Sequence, residues 1–157
     1  MHKAVFMVPV FETFSERPLG RTLSILGKSY LHLLRVRLKH LDIDRNYYAL
    51  LLIGSMDGVI TQQELALMLE TDKVSIVRVV DYLTLKGYVK RIRKPDDMRK
   101  RSLKLTEKAI LAIPEIRKSI SELNDLVLNG VDITRIHELS ETIRIIKSNM
   151  TENIQTL

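Results

Sequence analysis

The chain has 157 residues, of which 45% are hydrophobic and 28% charged, and it contains no cysteine. These values are typical of one helix-rich globular unit, and they exclude a disulfide framework, a thiolate metal site and a redox-sensing thiol. No apolar stretch reaches the roughly 18 residues that a membrane-spanning helix needs, so we expect a cytoplasmic protein without a membrane partner.

The net charge of +6 is concentrated in one segment. Between Lys86 and Lys108 there are ten basic and three acidic residues, a net charge of +7, so the rest of the chain carries −1. A concentrated positive segment is typical of a protein that binds the phosphate backbone of nucleic acid. The alternative is a solvated basic face without a partner.

The N-terminal region begins with the apolar stretch Ala4–Phe11, which Pro9 interrupts and Glu12 follows. Because no small-residue cleavage site follows it, we interpret it as a packed or exchanged arm and not as an export signal. From Leu19 to Leu41, leucines and a tyrosine recur at steps of three and four residues, which predicts one long helix. We assign residues 1–43 to an N-terminal arm and a dimerisation helix.

A shorter helix is predicted to open near Asp44 or Asn46 and to stop before Gly54. After a turn at residues 56–58 and a brief extended stretch at residues 59–60, Thr61-Gln62-Gln63-Glu64 forms a capping box that starts the next helix. Either Thr71 or Asp72 can cap a second helix, which runs from about residue 73 to 86 and is stopped by Gly87. The pattern is a helix, a tight turn and another helix.

The second helix of this pair has two distinct faces. One is apolar and must be buried, and it consists of Ile76, Val79, Val80 and Leu83. The opposite face presents Val74, Arg78 and Asp81, flanked by Ser75 and Val77. This composition suits the major groove of DNA, where an arginine can bind guanine and a valine can contact a thymine methyl group.

A basic hairpin follows directly. Residues 88–93 alternate as a strand does, with Tyr88 or Val89 and Ile92 turned inward. Residues 94–97 have the composition of a turn, and residues 102–105 form a returning strand with its leucines on one face. The tip carries Arg99, Lys100 and Arg101, and a narrow minor groove attracts such cations. Residues 44–106 are therefore predicted to form a winged helix-turn-helix that binds DNA.

The C-terminal region, residues 107–157, is predicted to be helical. Thr106 caps a helix whose apolar stripe runs from Ile110 to Val127, and Pro114 should kink or divide it. Asn129-Gly130 closes this helix, and a final helix repeats apolar residues almost every seven positions from Ile133 to Met150. A second subunit is the economical way to bury these stripes, and packing within one chain is the alternative. The predicted fold is mainly α with a small β wing.

The segment from residue 60 to 106 resembles the MarR family of bacterial transcription regulators. The motifs that carry the resemblance are Thr61–Ala66, Val77–Leu83, Lys86–Val89, Asp97-Met98-Arg99 and Leu105-Thr106, in continuous order and at matching distances. It implies a homodimer with interlocking terminal helices and with recognition helices in successive major grooves of a near-palindromic operator. It also implies that Arg99 enters the minor groove while Asp97 steadies it. Val74 and Val77 lie where members often carry hydroxyl residues, so the base preference can differ.

The predicted function is sequence-specific binding of duplex DNA by a homodimeric regulator, a repressor by preference, without a cofactor. The predicted DNA-binding residues are Lys73, Val74, Ser75, Val77, Arg78, Arg91, Asp97, Arg99, Lys100 and Arg101. The resemblance further implies release by a small molecule, for which Tyr30, Tyr47, Tyr48 and Arg37 are candidate lining residues, although helix packing explains the tyrosines equally well.

Two other classes of function were weighed. An enzyme is disfavoured because no nucleotide-binding, zinc-protease or nucleophile-elbow motif occurs and the four histidines are scattered. A winged helix that binds protein or RNA is the second alternative. A protein-binding wing does not require a charge of +7, and the deep, narrow major groove of duplex RNA excludes a helix.

Overall fold

The computed structural model describes residues 18–56, 59–94 and 97–154, and the side chains of residues 94, 97–100 and 154 lie outside the description. The arm predicted for Ala4–Phe11 lies outside the described residues, as do two residues of each turn predicted at 56–58 and 94–97. The chain divides into two compact units, Met1–Ser119 and Ile120–Leu157. The predicted regions 1–43, 44–106 and 107–157 are a functional division and stay a prediction.

The secondary structure is six α-helices, one short 3₁₀ helix and one two-stranded antiparallel sheet in the described residues. In chain order the elements are α1 (Leu19–Arg37), the 3₁₀ helix (Lys39–Leu41), α2 (Tyr47–Ser55), α3 (Gln62–Met68), α4 (Lys73–Leu85), β1 (Val89–Lys94), β2 (Asp97–Leu105), α5 (Glu107–Val127) and α6 (Ile133–Ile154). The predicted fold class, mainly α with a small β wing, is confirmed.

Helix α1 is shorter than its leucine pattern predicts. The α-helix ends at Arg37, and Leu41 belongs to the separate 3₁₀ helix. Leu38 lies between them with φ −99° and ψ 14°, and its side chain is buried. Leu34 and Leu38, four residues apart, are both buried, and the 3₁₀ turn follows directly after them.

Helix α2 includes Gly54, so the prediction that it stops before this glycine was wrong. A β-carbon at Gly54 would lie 2.8 Å from the Cδ1 of Ile113 and 3.1 Å from the Cδ1 of Leu105. The glycine therefore permits a close approach of β2 and α5 to α2 and does not end the helix. Leu50 and Ile53 of α2 are fully buried.

The hairpin of β1 and β2 packs on the helices through its leucines. Leu103 and Leu105 are buried, as the alternation predicts, and so are both Tyr88 and Val89. The extended stretch predicted before α3 joins the hairpin, because the amide of Leu103 donates to the carbonyl of Ile60 at 2.8 Å. This hydrogen bond attaches the wing to the start of the helix-turn-helix.

Helix α5 is continuous through Pro114. The sequence predicted that this proline would kink or divide the helix, and division does not occur. Thr106 precedes the helix as predicted: its hydroxyl accepts from the amide of Ala109 at 3.3 Å and donates to the carbonyl of Gly87 at 2.7 Å. In α5, Ala109 and Ile116 are buried, whereas Ile110 is 57% exposed.

Helix α6 starts after Asp132, whose carboxylate accepts from the amide of Arg135 at 3.0 Å. Its apolar residues stay exposed within the single chain, with Ile133 and Met150 both at 60% exposure or more.

Candidate nucleic-acid interface

The turn between α3 and α4 is fixed by two helix caps. At the start of α3 the predicted capping box is present: the amide of Thr61 donates to Glu64 Oε2 at 2.7 Å, and the amide of Glu64 donates to Thr61 Oγ1 at 3.2 Å. At the start of α4 the cap is Asp72, which accepts from the amides of Val74 and Ser75 at 2.8 and 2.9 Å. These bonds satisfy amides that the first turn of a helix leaves free.

The Asp72 carboxylate also accepts the hydroxyl of Ser75 at 2.6 Å. This hydrogen bond, followed by the bonds from the backbone, holds the pKa of Asp72 below its ordinary value. The carboxylate is therefore charged at neutral pH, and the hydroxyl of Ser75, a predicted DNA-binding group, is committed to the cap.

The side chains of α4 divide as the helical pattern predicts. Ile76, Val80 and Leu83 are buried, and Val79 is half-buried. On the opposite side Val74 is 62% exposed and Val77 is 37% exposed, and the exposed set is completed by Lys73, Arg78 and Asp81. The face predicted to lie along DNA is thus free within the single chain.

Arg91, predicted from the sequence as a DNA-binding residue, is engaged inside the protein. Its guanidinium donates to Asp81 Oδ1 at 2.5 Å and to Gln62 Oε1 at 3.3 Å. One side chain of β1 therefore connects α3 and α4. Sequence reasoning missed this contact, although a single acid on an otherwise basic or apolar face is a signal that could have suggested a cationic partner.

Arg78 remains available. The neighbouring acids Asp81 and Asp72 are engaged elsewhere, because Asp81 pairs with Arg91 and Asp72 caps α4. In the part of the chain that the structure describes, no carboxylate pairs with Arg78.

The wing places like charges opposite each other. Lys90 faces Lys104 across the two strands, and Arg93 faces Arg101, and all of these residues are exposed. Like charges directly opposite in an antiparallel pair are destabilising. The tip residues Asp97 and Lys100 and the arginine between them belong to β2, but their side chains lie outside the described ones, so the roles assigned to them stay predictions.

The C-terminal end of α4 is tied to the loop that follows α1. The Lys86 ammonium is ion-paired with the carboxylate of Asp42, and the hydroxyl of Tyr82 donates to the carbonyl of Asp42 at 3.1 Å. The hydrogen bond to Asp42 raises the pKa of Lys86. The buried Tyr88 donates its hydroxyl to the carbonyl of Leu41 at 2.5 Å. These contacts anchor the C-terminal end of α4 and involve none of the residues that we assign to its exposed face.

The residues suggested for an effector site do not share one environment. Tyr47 is buried whereas Tyr48 is 53% exposed. Burial raises the pKa of both Tyr30 and Tyr47. An open cavity of about 520 Å³ is lined by other residues, among them Arg35 and Tyr82.

Two further classes of site were sought in the described residues. No group of three or more histidine and acidic side chains there could hold a metal ion. None of the described helices combines the length and the apolar character needed to cross a membrane.

The comparisons with known proteins find similarity to MarR regulators. The MarR family model matches residues 44–100. A mutant MarR from E. coli complexed with operator DNA is 25% identical, with a TM-score of 0.76 over 87% of this chain and 99% of its own. A MarR transcriptional regulator from Methanosarcina mazei Go1 is 25% identical, with a TM-score of 0.74 over 85% of this chain and 96% of its own.

The transcriptional regulator SlyA shares the fold, with a TM-score of 0.80, 20% identity and coverage of 87% of this chain and 96% of its own. The resemblance and the winged helix-turn-helix predicted from the sequence are confirmed.

Proposed function

From the MarR family match over residues 44–100 and the MarR-like fold, we propose that this protein is a transcription regulator that binds specific sequences of duplex DNA as a homodimer. It acts as a repressor by occupying a near-palindromic operator, from which a small molecule can release it. One structural neighbour, the mutant MarR from E. coli, is complexed with operator DNA.

The observation that carries the proposal is the outer face of α4. On α4, Val74 and Val77 are exposed next to Arg78, which pairs with no carboxylate in the described part of the chain. Exposed apolar side chains are unfavourable in water but can contact base edges in DNA. The like-charged pairs across the wing also support DNA binding, because a bound polyanion reduces the repulsion within each pair.

The proposed DNA contacts come from α4 and from the wing. On α4 they are made by Lys73, Val74, Val77 and Arg78, while Ser75 keeps the helix start in place. In the wing, Arg99, Lys100 and Arg101 lie along the minor groove and Asp97 orients Arg99. Arg91 contributes by holding the wing against α4, and phosphate contacts from the remaining basic residues fix the orientation without reading sequence.

The homodimer is proposed because apolar surface remains on the predicted dimerisation helices. On α1, Leu26 is 62% exposed and Val36 is 58% exposed. On α6 the exposed residues include Ile143 and Met150. Apolar surface repeated along helices is typical of a subunit interface.

Selection of bound duplexes from a random pool tests the proposed function. We expect an enriched near-palindromic consensus, with affinity that falls steeply as salt rises because phosphate contacts release counterions. In a repeat with Arg78→Ala, the preference at one base position per half-site should relax, at a cost of about 1–3 kcal/mol. Equal affinity for the selected duplex, random DNA and duplex RNA would overturn specific regulation.

Arg99→Ala should weaken binding to the selected duplex and leave the homodimer intact, because Arg99 lies outside the predicted dimerisation regions 1–43 and 107–157. Fluorescence anisotropy measures the affinity and sedimentation velocity the oligomeric state. Arg135→Ala removes an arginine of the same charge from α6, where it pairs with Asp132, and serves as the control. Loss of the dimer in the Arg99 variant would mean that the wing is assigned to the wrong residues.

A further inference from the structure

A second cluster of cationic side chains lies N-terminal to the helix-turn-helix and the wing in the sequence. A cavity of about 250 Å³ is lined by Lys28, Leu31, His32, Arg35 and Arg45. Four of these five residues can carry positive charge, and none is a carboxylate. Leu31 is the one apolar residue among those that line the cavity.

The charge of α1 is not balanced within the helix. Its sequence from Leu19 to Arg37 contains four Lys and Arg residues and no Asp or Glu. Lys28, His32 and Arg35 are spaced by four and three residues and therefore share one face. Arg35 lies in the last turn, where the helix dipole favours a cation, but Lys28 lies further back and has no such compensation.

Arg45 reaches this face from a short, sharply turned loop. The residues on either side of the loop centre, Asp42 and Asp44, have positive φ values of 52° and 49°. Ile43 between them is buried, and its carbonyl accepts both the backbone and the side-chain N–H groups of Asn46 at 3.0 and 3.1 Å. This loop therefore supplies the guanidinium of Arg45, whereas the guanidinium of Arg35 comes from α1.

The donors in the cavity are partly pre-oriented. The Arg35 Nη2 lies 3.4 Å from His32 Nδ1. The cavity therefore offers two guanidinium groups, an ammonium and an imidazole, and no carboxylate belongs to its lining.

We propose that this cavity binds a compact, multiply charged anion of the phosphate class, either free inorganic phosphate or the phosphate group of a small metabolite. Guanidinium groups match the oxygens of phosphate two at a time, and four of the five lining residues can carry positive charge. The site shares no residue with α4 or the wing, so this proposal goes beyond the proposed DNA binding.

Thermal unfolding in the absence of DNA tests the site, with pyrophosphate as the probe and sodium chloride at matched ionic strength as the reference. At about ten times the Kd we expect the Tm to rise by roughly 3–6 °C, and Arg45→Gln to abolish this rise. Arg21→Gln is the matched control, because Arg21 is an exposed cation of the same helix that does not line the cavity. It should retain the full rise.

Three outcomes would overturn the proposal. Phosphates also stabilise proteins by exclusion from their surface, so an equal rise in all variants would show a solvent effect. A loss of operator affinity in Arg45→Gln without pyrophosphate would identify DNA phosphate as the ligand. A change in the sedimentation of that variant would mean that acidic groups of a second copy occupy the cavity. Since DNA is absent from the main assay, its failure is distinct from failure of the proposed regulation.

Discussion

Asp72 shows how one side chain sets the position of α4. Asp72 accepts hydrogen bonds from two amides and from the hydroxyl of Ser75. Two residues before it, Glu70 has a φ of 50° in the turn between the helices. The cap thereby fixes where α4 begins, and the positions of Val74 and Arg78 on the outer face follow from that start.

Asp72 should make stability depend on acid pH. Its pKa is lowered from 3.8 in the folded protein, so its stabilising effect is complete above the unfolded value and is lost as the pH falls through the folded value. Between about pH 5 and pH 3 the native protein should therefore lose more stability than Asp72→Asn, which cannot titrate. Urea denaturation at both pH values measures the difference, and parallel losses in the two proteins would contradict the assignment.

At the scale of secondary-structure elements, the wing combines two opposing requirements. Its strands must pair, yet Lys90 lies opposite Lys104 and Arg93 opposite Arg101. A hairpin selected for stability alone would place opposite charges there. The arrangement makes sense if the wing functions next to a polyanion.

The substitution Lys104→Glu should change the stability of the wing and its affinity for DNA in opposite directions. Replacing one cation of the exposed pair with an acid should stabilise the protein by a few tenths of a kcal/mol, because a repulsive cross-strand pair becomes attractive. The same change should weaken DNA binding through the lost phosphate attraction. Urea denaturation and anisotropy titration measure the two effects, and a gain in both stability and DNA affinity would contradict the proposed role of the wing.

The contact of Arg91 with Asp81 is the link between wing and recognition helix. Asp81→Asn should lower stability by less than about 1 kcal/mol, because the side chain of Asp81 is 59% exposed and water screens such pairs. The ratio of affinities for selected and random duplexes should fall, because the wing loses its fixed orientation to α4 while a carboxylate that repels phosphate is removed.

Competition anisotropy with the two duplexes measures this ratio. Glu141→Gln breaks the comparable exposed pair of Glu141 with Arg144 in α6 and is the control. An unchanged ratio in the Asp81 variant would show that the pair is only a surface contact.

At the scale of the whole molecule, the exposed apolar residues of α1 and α6 are the basis of the proposed homodimer. Ile143, on α6, is 52% exposed in the single chain. Ile143→Glu should dissociate the homodimer, since burial of such a side chain contributes about 1.5–3 kcal/mol and symmetry counts it twice. Sedimentation velocity at micromolar concentration measures the change. Leu67→Glu alters a residue of α3 that is 73% exposed and should leave the dimer intact; a dimer that also survives Ile143→Glu would contradict the interface.

Local interactions are what the amino-acid sequence determined by itself. The capping box at Thr61 and the cap at Asp72 depend on residues two or three positions apart, and the two faces of α4 follow from helical geometry. The charge of the wing and the inward leucines of β2 are likewise properties of one short segment. The helix-turn-helix, the wing and the division of α4 into a buried and an exposed face could therefore be predicted from the sequence.

Contacts between distant segments were decided only by the tertiary structure. Arg91 reaches Asp81 and Gln62, Tyr88 reaches the carbonyl of Leu41, and Gly54 meets the side chains of β2 and α5. The cavity formed by α1 and Arg45 belongs to the same class. A periodic pattern specifies which face of an element is buried but not which element covers it, because that choice is made by packing across the whole unit.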